Sequence, residues 1–414
     1  GGYFNQKGII DRSGFERYSF RANMEVNPVK KLKVGFGLSP SFTNTDRSPA
    51  GAPYFADPPG IVYSALVTSP TVTPYLPDGS INQTDNQSHL LTEDGRGANM
   101  TAASNPLAII RYVTDDLKQF RTFGNVFAEY EILEGLKYKL YTGVDVNSYN
   151  RSFYMARAFL NRNATTGDPY AQSNASLNYN WLIENTLSYD RTFGKQHHVS
   201  AVVGYSAQKD RLDANQVYAQ THPDDLSPSI SGGQVTSGGD NRQEWSLVSM
   251  LARVNYGFRD KYLLTATIRS DRSSRFGAGN KSGTFPSLSV GWRLSEEAFM
   301  KSVKPVSDLK IRASCGQTGN FLIPNYAAIG LLSPYNYTFN NVIVNGIAPS
   351  TISNDRLTWE KTAQTDLGLD LGLFRDRLFI SADWYEKKTT DLLLNVQVPS
   401  SVGFSTALQN IGKV

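Results

Sequence analysis

Cysteine is almost absent from the sequence: Cys315 is the only one in 414 residues. An internal disulfide is therefore excluded, and so is a zinc site built from paired cysteines. Long apolar runs are missing as well. The best stretches, such as 262–268, are interrupted by hydroxyl side chains, and none approaches the roughly 18 apolar residues of a membrane-spanning helix. A helical membrane protein is thus excluded.

Charge is also sparse, at 19% Asp, Glu, Lys and Arg with a net charge of +4. Lysine and arginine are scattered singly among the acids, so the chain carries no basic patch of the kind that binds nucleic acid. Aromatic residues are abundant at 12% of the chain, 22 of them Tyr, and there are also 34 Gly. This composition suits strands and turns, and it favours an all-β fold.

Strict alternation of apolar and polar residues is the strongest pattern in the chain. From Val248 to Phe258 the even positions are apolar and the odd ones largely polar. Alternation with a period of two residues puts the apolar side chains on one face of a sheet and the polar side chains on the other. The same alternation predicts about a dozen antiparallel strands, each near the roughly 9 to 11 residues that cross a bilayer obliquely. The predicted hairpins are 18–26 with 32–42, 126–132 with 136–144, 181–189 with 199–205, 248–258 with 262–268, 287–294 with 309–313, and 367–373 with 378–385.

The connections between these strands alternate between tight and long. The long ones, rich in Gly, Pro, Asn, Ser and Thr, are about 47–119, 149–178, 206–243, 271–284 and 315–356, and 296–303 is predicted to be a short helix. Short periplasmic turns and long extracellular loops are typical of outer-membrane β-barrels. Aromatic residues such as Phe258 and Tyr262 cluster at the tight-turn end, where a membrane-interface girdle is expected.

The position of the arginines indicates which face would meet lipid. If the odd side of 248–268 faced hydrocarbon, Arg253 and Arg269 would each cost about 2–4 kcal/mol near the midplane. The apolar even side is therefore the expected lipid face. A soluble β-sandwich with the apolar face inward shows the same alternation, so that alternative stays open at this point.

A series of different short motifs is spread in a fixed order along nearly the whole chain. They are GYFNQ at 2–6, GII at 8–10, SGF at 13–15, NPL at 105–107, FRDKYLL at 258–264, RSSRFG at 272–277, FPS at 285–287, GWRLSEE at 291–297, LKIRAS at 309–314, GN at 319–320, LTWE at 357–360, DWY at 383–385 and NIGKV at 410–414. This ordered set resembles the SusC/RagA family of TonB-dependent outer-membrane transporters. Arg272, where the family commonly has glycine, and Cys315, where an aromatic residue is usual, depart from the pattern.

The resemblance implies a transmembrane barrel of about 22 strands that imports oligosaccharides or peptides. It also implies a plug domain, a segment that contacts the TonB complex, a SusD-like lipoprotein capping the outside, and pairing of two transporter–lipoprotein units. We expect residues 1–414 to be part of the barrel, with the plug, the TonB-contacting segment and the C-terminal strands absent. No cofactor is expected.

Two other functions are compatible with the alternation itself. One is a passive porin or structural outer-membrane barrel, and the other is a soluble β-rich carbohydrate-active enzyme. Paired carboxylates such as Asp366 with Asp370 resemble a glycosidase acid and base, but they share the polar face of one strand, which a wet lumen explains. The histidines lack ligand spacing. We therefore predict no catalytic residue, no metal site and no enzymatic activity.

Binding rather than chemistry is the predicted role of the long loops. Sugars present hydroxyl edges and apolar ring faces, so a site needs planar hydrogen-bonding groups beside aromatic side chains. Packing of loops against one another is the alternative role for any one of these residues. The substrate-binding candidates are Tyr54, Phe55, Arg269, Asp271, Arg272, Arg275, Asn320, Asn325, Tyr326, Tyr335 and Tyr337.

The membrane hypothesis predicts how the full-length protein fractionates. Because one face of every strand is apolar, the protein should sediment with the outer membrane and require detergent for extraction. Cell fractionation followed by immunoblotting measures this, and a glycan-hydrolysis assay on the extract should be negative. Recovery of the protein in the soluble fraction would refute the transporter hypothesis.

Overall fold

The computed structural model describes residues 1–49, 60–68, 73–83, 104–159 and 169–414. Two short α-helices occur in these ranges, α1 (Ile61–Val67) and α2 (Pro106–Tyr112). Neither is long and apolar enough to span a membrane. Most other residues form strands, and the predicted all-β class is confirmed.

The strands follow one another along the chain with few interruptions. The first twelve are β1 Gly2–Lys7, β2 Gly14–Ser19, β3 Ala22–Val29, β4 Leu32–Asp46, β5 Val113–Leu133, β6 Leu136–Met155, β7 Tyr170–Phe193, β8 His197–Gln220, β9 Gln234–Phe258, β10 Tyr262–Ser273, β11 Ser282–Arg293 and β12 Val306–Asn320. The others are β13 Leu332–Pro334, β14 Tyr337–Phe339, β15 Val342–Val344, β16 Ile347–Pro349, β17 Glu360–Leu373, β18 Leu378–Thr390, β19 Leu393–Gln397 and β20 Thr406–Asn410.

A single 14-stranded antiparallel sheet contains most of these strands. Neighbours in the sheet are almost always neighbours in sequence, since β1 and β2 are followed by β4 to β12 and then by β17 and β18. Strands β2 and β3 pair with successive halves of β4. Strands β1 and β3 form one edge, since β1 pairs only with β2 and β3 only with β4, and β18 forms the other, so within the described ranges the sheet is an open wall. Three two-stranded sheets lie beside it: β13–β16, β14–β15 and β19–β20.

All the predicted hairpins are present in this sheet. The prediction was also wrong for two short segments. Strand β1 was not predicted, because Gly2–Lys7 shows no clear alternation. The connection 296–303 is not a helix of its own: a short 3-10 helix at Leu294–Glu296 precedes it and turns fill the remainder.

The apolar face of the sheet is exposed rather than packed into a protein core. On β9 and β10, Met250, Val254 and Ile268 keep 61%, 47% and 51% of their surface. The opposite face is hydrogen-bonded: the Arg253 Nε donates to the Thr267 Oγ1 at 3.1 Å. The three buried apolar clusters lie instead at the loop end of the strands. A soluble sandwich would bury the alternating apolar side chains, so that alternative is excluded.

The long strands extend well beyond the segment that lipid can cover. Strands β7, β8 and β9 have 24, 24 and 25 residues, whereas the apolar stretch on β9 runs only from Val248 to Phe258. Above it, the same face carries an ion-pair network of Lys209 with Glu244 at 2.9 Å and Arg242 with Asp213 at 2.6 Å. Within the described ranges, much of the predicted loops 149–178 and 206–243 is therefore strand, at 149–155, 170–178, 206–220 and 234–243. The prediction failed because alternation ends where both faces meet water.

Aromatic side chains do gather at the tight-turn end, as predicted. The ring centroids of Phe258 and Tyr262, and those of Tyr262 and Trp292, are 6.3 Å apart in stacked pairs. The Tyr262 hydroxyl and the Trp292 Nε1 donate to Glu297 at 2.7 and 3.2 Å, which lowers the pKa of that carboxyl below its ordinary value. Rings with one polar end suit the boundary between hydrocarbon and water.

A pair of arginine substitutions on β9 tests the two faces. Val254→Arg places a guanidinium on the apolar face, where it should cost about 2–4 kcal/mol of folded-state stability near the midplane. The neighbouring Asn255→Arg points to the polar face and should be tolerated. Urea titration of the full-length protein refolded into lipid vesicles measures both. Equal loss of stability in the two variants would contradict the assignment of faces.

Candidate ligand-binding site

The polar face of the sheet becomes aromatic near the loop end of β9. Trp245 lies on the same face as Ser249 and Arg253, because alternation along β9 continues past the apolar stretch. Its cross-strand neighbour is Asp210 on β8, whose own neighbour is Asn180 on β7. An aromatic ring, a carboxylate and an amide thus lie in one row across three strands, about 4.8 Å apart from strand to strand.

Arg275 stacks on this tryptophan from the connection between β10 and β11. Its guanidinium carbon lies 4.9 Å from the centre of the Trp245 ring and 5.5 Å from that of Phe321, which follows β12. The two rings are 6.0 Å apart. Contacts of this kind are cation–π interactions. Burial lowers the pKa of Arg275 below its ordinary value, although Asp210 opposes this effect.

Amide side chains hold the guanidinium in place. The Arg275 Nε donates to the Asn325 Oδ1 at 2.9 Å, and the Asn325 Nδ2 donates to the Gln243 Oε1 at 3.1 Å. Beside them, the Tyr326 hydroxyl accepts a hydrogen bond from the Glu244 backbone N–H at 2.9 Å. The connection after β12 is therefore fastened to β9 at two successive residues, Asn325 and Tyr326.

An apolar cluster supports these loops from below. Its members are Phe276, Phe285, Ile323, Leu357 and Trp359, all almost fully buried. It fills a gap that opens because β12 pairs with β11 only up to Gly316, whereas β11 and β12 both continue further. Gly319 provides room for the Phe285 ring, since a Cβ at this position would overlap it.

The wall next to Trp245 is rich in amides. The Asn180 Nδ2 donates to Asp210 at 3.1 Å, and the Gln208 Nε2 donates to the Asn180 Oδ1 at 2.9 Å. Asn178 donates to both oxygens of Asp210 at 3.2 and 3.3 Å. Side-chain amides donate and accept at once, as hydroxyl groups do. This wall together with the aromatic pair can bind a polar ligand that has flat apolar faces.

The carboxylates considered for glycosidase chemistry serve other roles in the structure. Asp370 accepts from Arg312 at 3.0 and 3.2 Å, and Asp366 accepts from the Ser314 hydroxyl at 3.0 Å. These contacts neutralise or hydrogen-bond charges within the polar face. In the part of the chain that the structure describes, no group of His, Cys, Asp and Glu side chains is placed to hold a metal ion.

Comparison with known proteins identifies the family of this sheet. The family model described as "TonB dependent receptor-like, beta-barrel" matches residues 35–414. This chain belongs to the TonB-dependent receptor β-barrel family. The 14-stranded sheet is therefore part of an outer-membrane barrel, with its apolar face toward lipid and its polar face toward the lumen.

The individual relatives agree with the SusC/RagA resemblance. TonB-dependent receptor P26 of Formosa agariphila is 30% identical over 416 residues, covering 100% of this chain and 40% of the relative. TonB-dependent receptor SusC of Bacteroides thetaiotaomicron is 28% identical over 431 residues, covering 100% and 41%. The structure of the RagAB peptide transporter is similar with 26% identity and a TM-score of 0.84, over 99% of this chain and 44% of that chain.

These comparisons bear on size and activity. The chain spans about 40% of the length of the curated relatives it matches. The relatives are named as receptors and transporters, not enzymes, which agrees with the prediction that this chain is not an enzyme.

Within the receptor barrel, the predicted binding residues separate into groups. Arg275, Asn325 and Tyr326 come together at Trp245. Arg269 and Asp271 form an ion pair at 2.8 Å lower on the lumen face, where Arg269 also donates to Ser249. The other candidates within the described ranges make no hydrogen bond or ion pair with either group.

Arg272 lies on the lipid-facing side of β10, since it alternates with Asp271. Asn320 accepts from the Leu322 backbone N–H at 3.0 Å and so shapes the end of β12. Tyr335 and Tyr337 are each 66% exposed, at the hairpin formed by β13–β16 and β14–β15. Tyr54 and Phe55 lie outside the described residues. The structure therefore brings only some of the candidates together.

Sequence reasoning missed Trp245, Phe321 and Gln243. The predicted loop ended at about 243 and the predicted strand began at Val248, so neither Gln243 nor Trp245 was assigned to a strand. The signal was present, because both occupy odd positions and continue the lumen-facing series of β9. Phe321 follows the strand end and has no such pattern.

A glycine substitution tests the packing beneath the site. Gly319→Ala should displace the buried Phe285 ring and loosen the apolar cluster, with a loss of about 1–3 kcal/mol typical of overpacking. Gly279→Ala is the matched control, because its Cβ would meet no atom within 4 Å. Thermal unfolding of the full-length protein in detergent measures both. An unchanged melting temperature for Gly319→Ala would show that the gap between β11 and β12 is not filled as described.

Proposed function

We propose that the full-length protein imports oligosaccharides across the outer membrane, driven by TonB, and that the group around Trp245 and Arg275 contacts the cargo. The observation that supports this most directly is the lumen-facing site itself. It combines two aromatic rings with a guanidinium and several amides above the level of the membrane. Aromatic faces beside planar hydrogen-bonding groups are the features that sugars require.

A peptide cargo is the second candidate. It is favoured by the similarity in structure to the RagAB peptide transporter. Amides bind peptide backbones as well as sugar hydroxyls. The aromatic pair gives the preference for sugars, since a pyranose ring offers a flat apolar face that a peptide backbone lacks.

The full-length transporter also needs parts that residues 1–414 do not supply. These are a plug domain, a segment that contacts the TonB complex, further strands that pair with the edges β1 and β18, and a SusD-like surface lipoprotein that caps the lumen. Pairing of two such transporter–lipoprotein units is part of the same proposal. Unpaired edge strands in a bilayer support the presence of further strands, because each would leave its backbone groups unsatisfied.

Uptake of labelled cargo tests this function. In cells that carry the gene, uptake of fluorescent oligosaccharides should require the protein, TonB and the lipoprotein. Trp245→Ala should slow uptake about 2- to 10-fold, the value of one aromatic contact. Trp384→Ala on the apolar face of β18 is the control and should leave uptake unchanged, because Trp384 faces lipid.

Three other outcomes would redirect the proposal. Uptake that continues without TonB would favour a passive porin. Uptake of labelled peptides but not of oligosaccharides would assign the second cargo class. An equal effect of Trp245→Ala and Trp384→Ala, at equal abundance in the outer membrane, would remove the Trp245 site from the transport path.

A further inference from the structure

Arginines on the lumen face of the barrel commonly hold a carboxylate from the same chain. The shortest N–O distances are 2.8 Å for Arg121 with Asp145, 2.6 Å for Arg151 with Asp115, 2.8 Å for Arg269 with Asp271, and 2.8 Å for Arg312 with Asp383. Each of these guanidinium charges is compensated within the protein. Such pairs are structural, since their charges are already satisfied when no cargo is present.

Arg275 differs from these arginines in its partners. Its Nε donates to the neutral Asn325 Oδ1. Among the described residues, no carboxylate lies within ion-pair distance of it and neither of its η nitrogens donates a hydrogen bond. Its guanidinium carbon lies over the rings of Trp245 and Phe321 at 4.9 and 5.5 Å, and these rings are themselves 6.0 Å apart, so both shield the same side of the guanidinium. The charge is thus stripped of part of its water without receiving a counter-ion, which is unfavourable unless an anion arrives.

The geometry around Arg275 is suited to an anion that presents two oxygens side by side. With Nε held by Asn325 and one side of the guanidinium shielded by the two aromatic rings, the two η nitrogens form its free edge. That edge matches the two oxygens of a carboxylate or of a sulfate. Asp210 on β8 acts on Arg275 through its charge, but the two form no ion pair, and the Asp210 oxygens accept hydrogen bonds from Asn178 and Asn180.

We propose that Arg275 is an anion-binding anchor in the lumen and that the cargo is an acidic oligosaccharide, bearing a uronic carboxylate or a sulfate ester. This inference rests on the proposed import function and narrows its substrate class. The anion binds the η nitrogens, an adjoining sugar ring packs on Trp245 or Phe321, and the sugar hydroxyls bind the amides of Gln243, Asn180 and Gln208. A neutral oligosaccharide would leave the guanidinium without a counter-ion and should bind more weakly.

A glycan array probed with the full-length protein and its lipoprotein partner tests this anchor. The array carries uronate-containing, sulfated and neutral oligosaccharides, together with acidic peptides. We expect binding to be confined to one or both acidic sugar classes. Arg275→Gln should weaken it about 10- to 100-fold, the range for a hydrogen-bonded charge pair. Arg275→Lys should weaken it less, because charge is kept while the planar edge is lost.

Arg253→Gln is the matched control. Arg253 is another lumen-facing arginine with a neutral partner, Thr267, but among the described residues no aromatic ring lies over it. Its loss should leave array binding unchanged. Thermal melting and outer-membrane abundance of each variant establish that it is folded, and Arg275→Lys preserves the test if Arg275→Gln does not fold.

The outcomes separate this inference from the import function. Binding of neutral sugars alone, or acidic-sugar binding that is insensitive to both Arg275 substitutions, would overturn the anchor while TonB-dependent uptake still stood. Binding of acidic peptides in place of sugars, or of nothing on the array, would overturn it as well. Comparison of binding to the uronate-containing and the sulfated oligosaccharides shows whether Arg275 accepts a carboxylate, a sulfate or both.

Discussion

The satisfaction of backbone hydrogen bonds in contact with hydrocarbon is the constraint on which this structure depends. Inside a bilayer no water is present to bond a backbone N–H or C=O group that lacks a partner, so each strand must pair with a neighbouring strand on both sides. The chain meets this demand with the simplest possible order, in which successive strands lie side by side and antiparallel. Alternation then follows, because one face of such a sheet meets lipid and the other meets the water-filled lumen.

Outside the membrane the hydrogen-bonded strand pairing continues, but both faces of the sheet are in contact with water. Strands β7 to β9 extend beyond the apolar stretch, and their lipid-side positions change to Lys209, Arg242 and Glu244. Water can satisfy backbone groups at this height, so the chain is free to leave the sheet and form loops. In the part of the chain that the structure describes, the buried apolar clusters lie at this level, because loops cover one another here.

The candidate site exists because loops and wall meet at this level. Trp245 belongs to the wall, Arg275 to the connection after β10, and Asn325 to the connection after β12. Phe285 and its neighbours fill the gap between the diverging ends of β11 and β12. This packing positions the connection that carries Arg275 and the connection that carries Asn325. Local packing beneath the loops therefore sets the distance between the guanidinium and the two rings.

The sequence by itself determined which segments form the strands within the membrane, how they pair in hairpins and which face of each strand is apolar. Each of these follows from the period-two pattern that two different solvents impose on a strand such as 248–258. The tertiary structure alone decided how far β7 to β9 extend above the lipid, since both of their faces are polar there and the pattern vanishes. It also decided that Arg275, Asn325 and Trp245 meet, because residues distant in sequence are brought together by cross-strand register and loop packing, which no local pattern encodes.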